Sequence, residues 1–376
     1  MKRLVIITEI IAPYRIPGLN VLARQDGIDL HVIFLAETDP TQRQWPIYRR
    51  EIRFSYEVLP GWMRRFGRHY CLLNWGMGAA LQRARPDVIL CGGYNYPASW
   101  TAMRWARQNR IPFLLWTEST ARDFRSQWTQ SLKARFVSQC DGFVVPGISS
   151  REYLRRFGVR ENRVFTAPNA VDTQFFSQRL NTTTTHCRTS GLPQRFFLFV
   201  GRLVPEKGIL DLVKAYAALA PEVRRRVGLV IAGDGAARRH LVQVASAVTA
   251  GSVHVIGFAQ RELLAECYAR ADMLVFPTHT DPWGLVVNEA MTCGLPVICS
   301  SAAGCAADLV RDGWNGRVVG AGNVNQLAAA MDELARDEEL RCLMGRRSRE
   351  RAQLYSPEAW AAGVAQAAGL QGALAA

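Results

Sequence analysis

The 376-residue sequence has no apolar run approaching the roughly 20 residues that a membrane-spanning helix needs. Met1-Lys2-Arg3 ahead of Leu4–Ile7 has the outline of a signal peptide. Glu9 interrupts its apolar run and no small-residue cleavage site follows, so the segment reads as a buried first strand. Nine cysteines are present without Cys-x-x-Cys or metal-type spacing. Most, such as Cys91, Cys293 and Cys299, sit in apolar surroundings, which suits reduced core thiols in a cytoplasmic protein with no disulfide and no structural metal. No Gly-x-Gly-x-x-Gly follows the first strand, which argues against a nicotinamide dehydrogenase. No internal sequence repeat stands out.

What is present is globular in balance, with 49% hydrophobic and 21% charged residues, enough for two ordinary domains. The net charge of +14 is uneven. Residues 1–170 hold 25 Lys and Arg against 13 Asp and Glu, a surplus of +12; residues 171–376 hold 21 against 19, a surplus of +2. The first half therefore faces something anionic. Its densest stretch runs from Gly61 to Tyr70, Gly-Trp-Met-Arg-Arg-Phe-Gly-Arg-His-Tyr, with Tyr48-Arg49-Arg50 before it. Cations mixed with aromatic rings fit an anionic membrane surface; nucleic acid and plain solubility are the weaker readings.

Short apolar strands alternate with helical stretches through both halves, the pattern of parallel sheets covered by helices on both faces. The polar run Asn181–His186 breaks the alternation and reads as a link. The expected organisation is an N-terminal domain over 1–180, a linker over 181–194, a second domain over 195–355 and a C-terminal segment over 356–376. Ser356-Pro357-Glu358 is a sound helix start for that segment. Ligands of such sheets bind beyond the carboxyl ends of the strands.

Chemistry concentrates in the second half. Asp281 and Glu289 are eight positions apart; in unbroken helix they would point about 80° apart, so they share a ligand only if Asp281 precedes a helix containing Glu289. Pro282 suits the first position of such a helix and Gly294 and Pro296 its end. The backbone N–H groups of Trp283, Gly284 and Leu285 would then face the ligand. Further upstream, Gly201-Arg202 with Lys207 five residues on follows a strand and precedes a helix, which places two cations beside a helix start, as a diphosphate clamp requires. It is not a Walker loop, because the glycines and the Ser or Thr after Lys are missing. Gly233 opens a glycine turn after another strand, and Gly257-Phe258 ends the next.

The Asp281–Met291 stretch resembles the signature of family 4 glycosyltransferases, the retaining group 1 enzymes. The resemblance covers essentially the whole chain and is specific from Gly201 to Gly316. It implies the GT-B architecture: two facing Rossmann-like doubly wound α/β domains with an interdomain cleft, and a last helix crossing back to the first domain. It implies a nucleoside-diphosphate sugar as donor and no metal or other cofactor. Arg202 and Lys207 would hold the diphosphate, Asp281 would position the sugar, and Glu289 would bind ribose hydroxyls. Gly233 would line the donor pocket, and Gly257 and Phe258 would lie against the base. Retention in such enzymes proceeds by front-face attack, with the diphosphate helping to deprotonate the acceptor.

Three departures stand out. Asp281 replaces the family's usual Glu. The usual Gly-rich loop after the first strand reads Ile11–Gly18 here, with Pro13 and Arg15 as candidates on the acceptor side. The usual His after Phe113–Trp116 is missing, and Glu118 is the obvious substitute, as a catalytic assistant. Gly93 and Tyr94, at another strand end, are further acceptor-side candidates. Asp308 stands near a family Glu position; Asn169, Asp172 and the turn Asp312–Gly316 look structural.

The expectation is thus a transferase for a lipid-linked or glycan acceptor in cell-surface polysaccharide synthesis, peripheral on the cytoplasmic face of the membrane through its basic first domain, with nucleic acid an unlikely partner. Other GT-B chemistry, such as a nucleotide-sugar epimerase or a phosphorylase, and a non-catalytic basic binding protein are the alternatives.

Overall fold

A computed structural model of the chain describes residues 1–39, 45–66, 69–121, 127–178, 191–248 and 251–369. The chain divides into two units, Met1–Val171 with Ser356–Ala376, and Asp172–Tyr355. The polar run 181–186 lies outside the described residues. The division falls earlier than a boundary at 180. The helix Thr173–Gln178 belongs to the second unit, where the Phe176 ring meets Tyr268 edge-on at 5.9 Å.

The first unit is built on seven parallel strands. In chain order the unit has β1 (Lys2–Ile10), β2 (Ile28–Ala36), β3 (Ser55–Val58), β4 (Gly61–Phe66), β5 (His69–Asn74), β6 (Val88–Gly92), β7 (Phe113–Trp116), β8 (Gly142–Val145) and β9 (Val164–Thr166). The sheet order is β3-β2-β1-β6-β7-β8-β9, and β4 and β5 form a separate antiparallel ribbon. The central strands read as apolar runs because helices cover both faces of the sheet. Strands β3, β4 and β5 are absent from the sequence expectation. Their residues mix Arg, Glu, Ser and Asn with large apolar side chains, so no strand-type run stands out.

The C-terminal helix Pro357–Ala367 packs on this first unit. Its start is capped by Ser356, whose Oγ accepts from the Ala359 N–H at 3.2 Å. Trp360, 2% exposed, lies against Trp116 with ring centroids 5.4 Å apart. Gly18 makes room for it: a Cβ there would sit 2.8 Å from the Trp360 ring.

The second unit holds β10 (Phe196–Val200), β11 (Gly228–Ala232), β12 (Val253–Gly257), β13 (Met273–Phe276), β14 (Val297–Ser300) and β15 (Gly316–Val319). The order is β12-β11-β10-β13-β14-β15, all parallel. Counted within the unit this is 3-2-1-4-5-6, the dinucleotide-binding order, with its switch point between β10 and β13. In the first unit the corresponding reversal lies between β1 and β6. Eight cysteines among the described residues are free thiols. No helix among the described residues is long and apolar enough to cross a membrane.

Candidate active site

The loops that leave β10 and β13 meet at the switch point of the second unit. Pro205–Lys207 forms a single tight turn, and Gly208 follows it with φ +65°, starting the helix Ile209–Ala218. A Cβ on Gly208 would overlap the Pro277 carbonyl oxygen, so only glycine lets the two backbones come this close. The Glu206 carbonyl then staples the β13 loop: it accepts from the His279 N–H at 2.8 Å and from the Thr278 hydroxyl at 3.0 Å. The result is an ion pair across the switch point, with Lys207 Nζ donating to Asp281 Oδ2. Arg202, on the same loop, is exposed and has no side-chain partner among the described residues.

Asp281 uses both oxygens. Oδ1 accepts from the Trp283 N–H at 3.0 Å. This corrects the sequence reading at two points. The helix begins at Leu285 rather than at Pro282, with Gly284 as its cap. Residues 281–283 instead run beside 303–305: the Asp281 carbonyl accepts from the Gly304 N–H at 2.9 Å, and the Trp283 carbonyl from the Cys305 N–H at 3.2 Å. The Trp283 N–H is therefore spent on Asp281, and its indole is buried, donating from Nε1 to Asn288 at 2.8 Å. The N–H groups of Gly284 and Leu285 have no protein partner among the described residues, as helix starts leave them.

Glu289 lies inside the helix Leu285–Thr292 and accepts from the Tyr268 hydroxyl at 2.7 Å. Burial pushes its carboxyl up from 4.5 to about 7, the Tyr268 bond opposing the shift. Tyr268 is fully buried and held well above the usual phenol range, by burial first and by the Glu289 charge next. Gly233 and Gly257 close the loops after β11 and β12. A Cβ on Gly233 would overlap the Gly201 carbonyl oxygen, and its N–H donates to the Gly257 carbonyl at 2.7 Å, so three strand ends are stitched into one floor. Phe258, next in the chain, is 40% exposed.

In the first unit, Pro13 opens a turn after β1 that ends at Arg15. Arg15 donates to Glu118, which follows β7, and to Asn169 Oδ1 at 2.8 Å. Its guanidinium lies 4.2 Å from the Trp116 ring centroid. A surface charge would have no such enclosure. Gly93 and Tyr94 follow β6; the Tyr94 hydroxyl shares a 2.8 Å hydrogen bond with Ser119. The first unit thus joins Arg15 to Glu118, and Tyr94 to the residue after Glu118. The second joins Lys207, Asp281 and the helix start.

Sequence reasoning missed Tyr268, which lies in the helix Arg261–Arg270 with no motif around it, and the role of the Glu206 carbonyl, which is backbone and invisible to residue type. Asn169 does more than shape a turn, since it also holds Arg15. Asp172 caps the helix after it, Oδ1 accepting from the Phe175 N–H at 2.9 Å, and Asp312 takes the Val318 N–H at 2.9 Å; both are structural. The Asp308 carbonyl accepts from Arg351 and from the Tyr355 hydroxyl.

Residues 188–351 match the family model of the glycosyl transferases group 1, and residues 20–175 that of Glycosyltransferase Family 4. The chain belongs to the group 1 glycosyltransferases. The chain is 31% identical to the sulfoquinovosyl transferase of Arabidopsis thaliana over 189 residues, 49% of this chain and 36% of that protein. It is 28% identical to an O-antigen chain mannosyltransferase of Escherichia coli over 217 residues, 57% of this chain and 56% of that one. The matches thus span only a third to just over half the length of these curated relatives. Among solved structures, the Anabaena protein HepE in complex with UDP superposes with a TM-score of 0.78 at 19% identity, covering 98% of this chain and 100% of that chain. The fold of the chain is GT-B, with a Rossmann-like parallel sheet in each unit.

Proposed function

We propose that this chain is a retaining glycosyltransferase that moves a sugar from a nucleoside-diphosphate sugar to a lipid-linked or glycan acceptor in cell-surface polysaccharide synthesis. The observation that carries the reading is the Lys207–Asp281 pair at the switch point between β10 and β13, with Arg202 exposed on the same loop. Two cations beside a helix start suit a diphosphate, and a carboxylate holding one of them suits a site that must be ordered before its ligand arrives.

In this reading Arg202 and Lys207 receive the charge that builds on the departing diphosphate, so the transfer needs no metal ion. Asp281 positions both Lys207 and the sugar, with the Gly284 and Leu285 N–H groups beside it. Glu289 accepts from ribose hydroxyls, and Phe258 lies against the base. The acceptor oxygen bonds to the anomeric carbon on the face from which the phosphate oxygen leaves. The hydroxyl proton passes to that phosphate oxygen, with Glu118 assisting. The Arg15 guanidinium, donating to Glu118, orients its carboxyl group.

The test is transfer from an α-linked donor to a lipid-linked or glycan acceptor, followed by NMR of the new linkage. An α-product supports retention. A β-product contradicts it, and conversion of the donor to an isomeric nucleotide sugar without acceptor would make the chain an epimerase.

A further inference from the structure

The ribbon β4–β5 has two unlike faces. Met63 pairs across to Leu72, and both turn into the core beside β6 and β7, Leu72 being 5% exposed. The next position on each strand points the other way. Trp62 pairs with Leu73 and Arg64 with Cys71 on that outer face. Trp62 and Leu73 are each 43% exposed, and Trp75, just beyond β5, is 58% exposed. The Arg64 guanidinium reaches over the Trp62 ring at 5.9 Å. An outer ribbon face in water is ordinarily polar. This one carries two indoles, a leucine and an arginine, and the ten residues from Gly61 to Tyr70 hold three arginines and no acid.

We propose that the outer face of the β4–β5 ribbon docks this protein on an anionic lipid surface. Indole rings settle at the headgroup level of a bilayer, and arginine pairs with lipid phosphates there. Charge decides against a second copy of the chain as the occupant. A two-fold contact would set the patch against itself, pairing two copies of a stretch, Gly61–Tyr70, whose sequence holds three arginines and no acid. Lipid phosphate neutralises the same cations.

The ribbon's place in the fold gives the docking a use. Asn74 Nδ2 donates to the Leu35 carbonyl at 2.7 Å, and the Leu59 N–H to the Phe34 carbonyl at 2.8 Å, which anchors the ribbon at the carboxyl end of β2. The strands are parallel, so Arg15, Gly93 and Glu118 follow strand ends on that same edge. Docking therefore lays the proposed acceptor edge beside the headgroups, where a lipid-linked acceptor keeps its sugar. This last step rests on the transferase reading; the docking itself does not.

The experiment is sedimentation of the full chain with vesicles of phosphatidylcholine alone and with 30 mol% phosphatidylglycerol, for the wild type, Trp62→Ser/Trp75→Ser and Arg64→Gln. Each variant's melting temperature and its shift with nucleoside diphosphates are measured in parallel. The wild type is expected to bind the anionic vesicles and not the neutral ones, and less at 0.5 M salt. Partitioning should fall at least tenfold in the double Trp variant and about fivefold in Arg64→Gln, with melting and nucleotide shift unchanged. Three results overturn the docking: no binding to anionic vesicles, equal binding by all variants, or wild-type self-association that the Trp variant abolishes without any vesicle binding. A wild type that binds the vesicles but shows no shift with any nucleoside diphosphate would sink the transferase reading instead.

Discussion

Lys207 and Asp281 stand 74 positions apart, on the loops after β10 and β13, and form one ion pair with side chains only 11% and 15% exposed. So shielded a pair is weakly screened by salt and fixes the ammonium before any ligand binds. Asp281 also takes the Trp283 N–H, a bond it makes across two residues of its own backbone. That short reach suits Asp better than Glu and gives a physical reason for the shorter acid.

Asp281→Asn removes the charge that competes with phosphate for Lys207 but leaves a side chain able to cap Trp283. Nucleoside diphosphate should bind within about threefold of wild type or more tightly, while transfer slows about 10- to 100-fold as the ordered ammonium is lost. Titration calorimetry beside initial rates checks the split; equal losses in both would mean that Asp281 does not restrain Lys207. Asp281→Glu should also change rate or donor choice, and an unchanged enzyme would remove any meaning from the shorter acid.

Gly208→Ala sets a methyl group against the Pro277 carbonyl at φ +65°. Destabilisation of about 2–4 kcal/mol is expected in urea unfolding, with loss of nucleotide binding as the two loops part. A stable variant that binds normally would show that the loops need not touch.

Glu289 gives a pH signature. Its carboxyl moves from 4.5 in the unfolded chain to about 7 in the fold. Below pH 4.5 it is neutral in both states and its contribution is fully present. Between 4.5 and 7 the folded state holds more protons, so stability falls as pH rises, by about 3 kcal/mol at most. Glu289→Gln stays neutral and escapes this loss. The stability of the variant relative to wild type should therefore rise from pH 4.5 to pH 8; a flat difference would place the Glu289 carboxyl in water.

Much of the second unit is legible in the sequence, because its strands are buried on both faces and its loops are punctuated by glycine. The end of the helix Leu285–Thr292 is read correctly, since Gly294 follows it. The start at Pro282 is misread because tertiary bonds from Gly304 and Cys305 hold residues 281–283 extended, overriding a local helix signal. Tyr268 and the Glu206 carbonyl escape because long-range contacts leave no local pattern. The β4–β5 ribbon escapes because Arg, His and Asn mix with its apolar residues and leave no strand-type run.

Glu118→Gln should slow transfer about 10- to 100-fold without changing donor affinity, because the Arg15–Glu118 pair lies in the first unit and the proposed diphosphate clamp in the second. Mass spectrometry of the variant after incubation with donor should find no covalent sugar. A trapped adduct would point to a double-displacement route with another nucleophile.

Arg202 and Lys207 are proposed to hold a diphosphate without a metal. The most direct measurement is the melting temperature of the purified protein with nucleoside diphosphates, with and without chelator, beside that of Arg202→Ala. A bound ligand raises melting by mass action. Melting should rise with one diphosphate, the rise persisting in chelator and disappearing in Arg202→Ala. A rise abolished by chelator, or retained in full by Arg202→Ala, would contradict it.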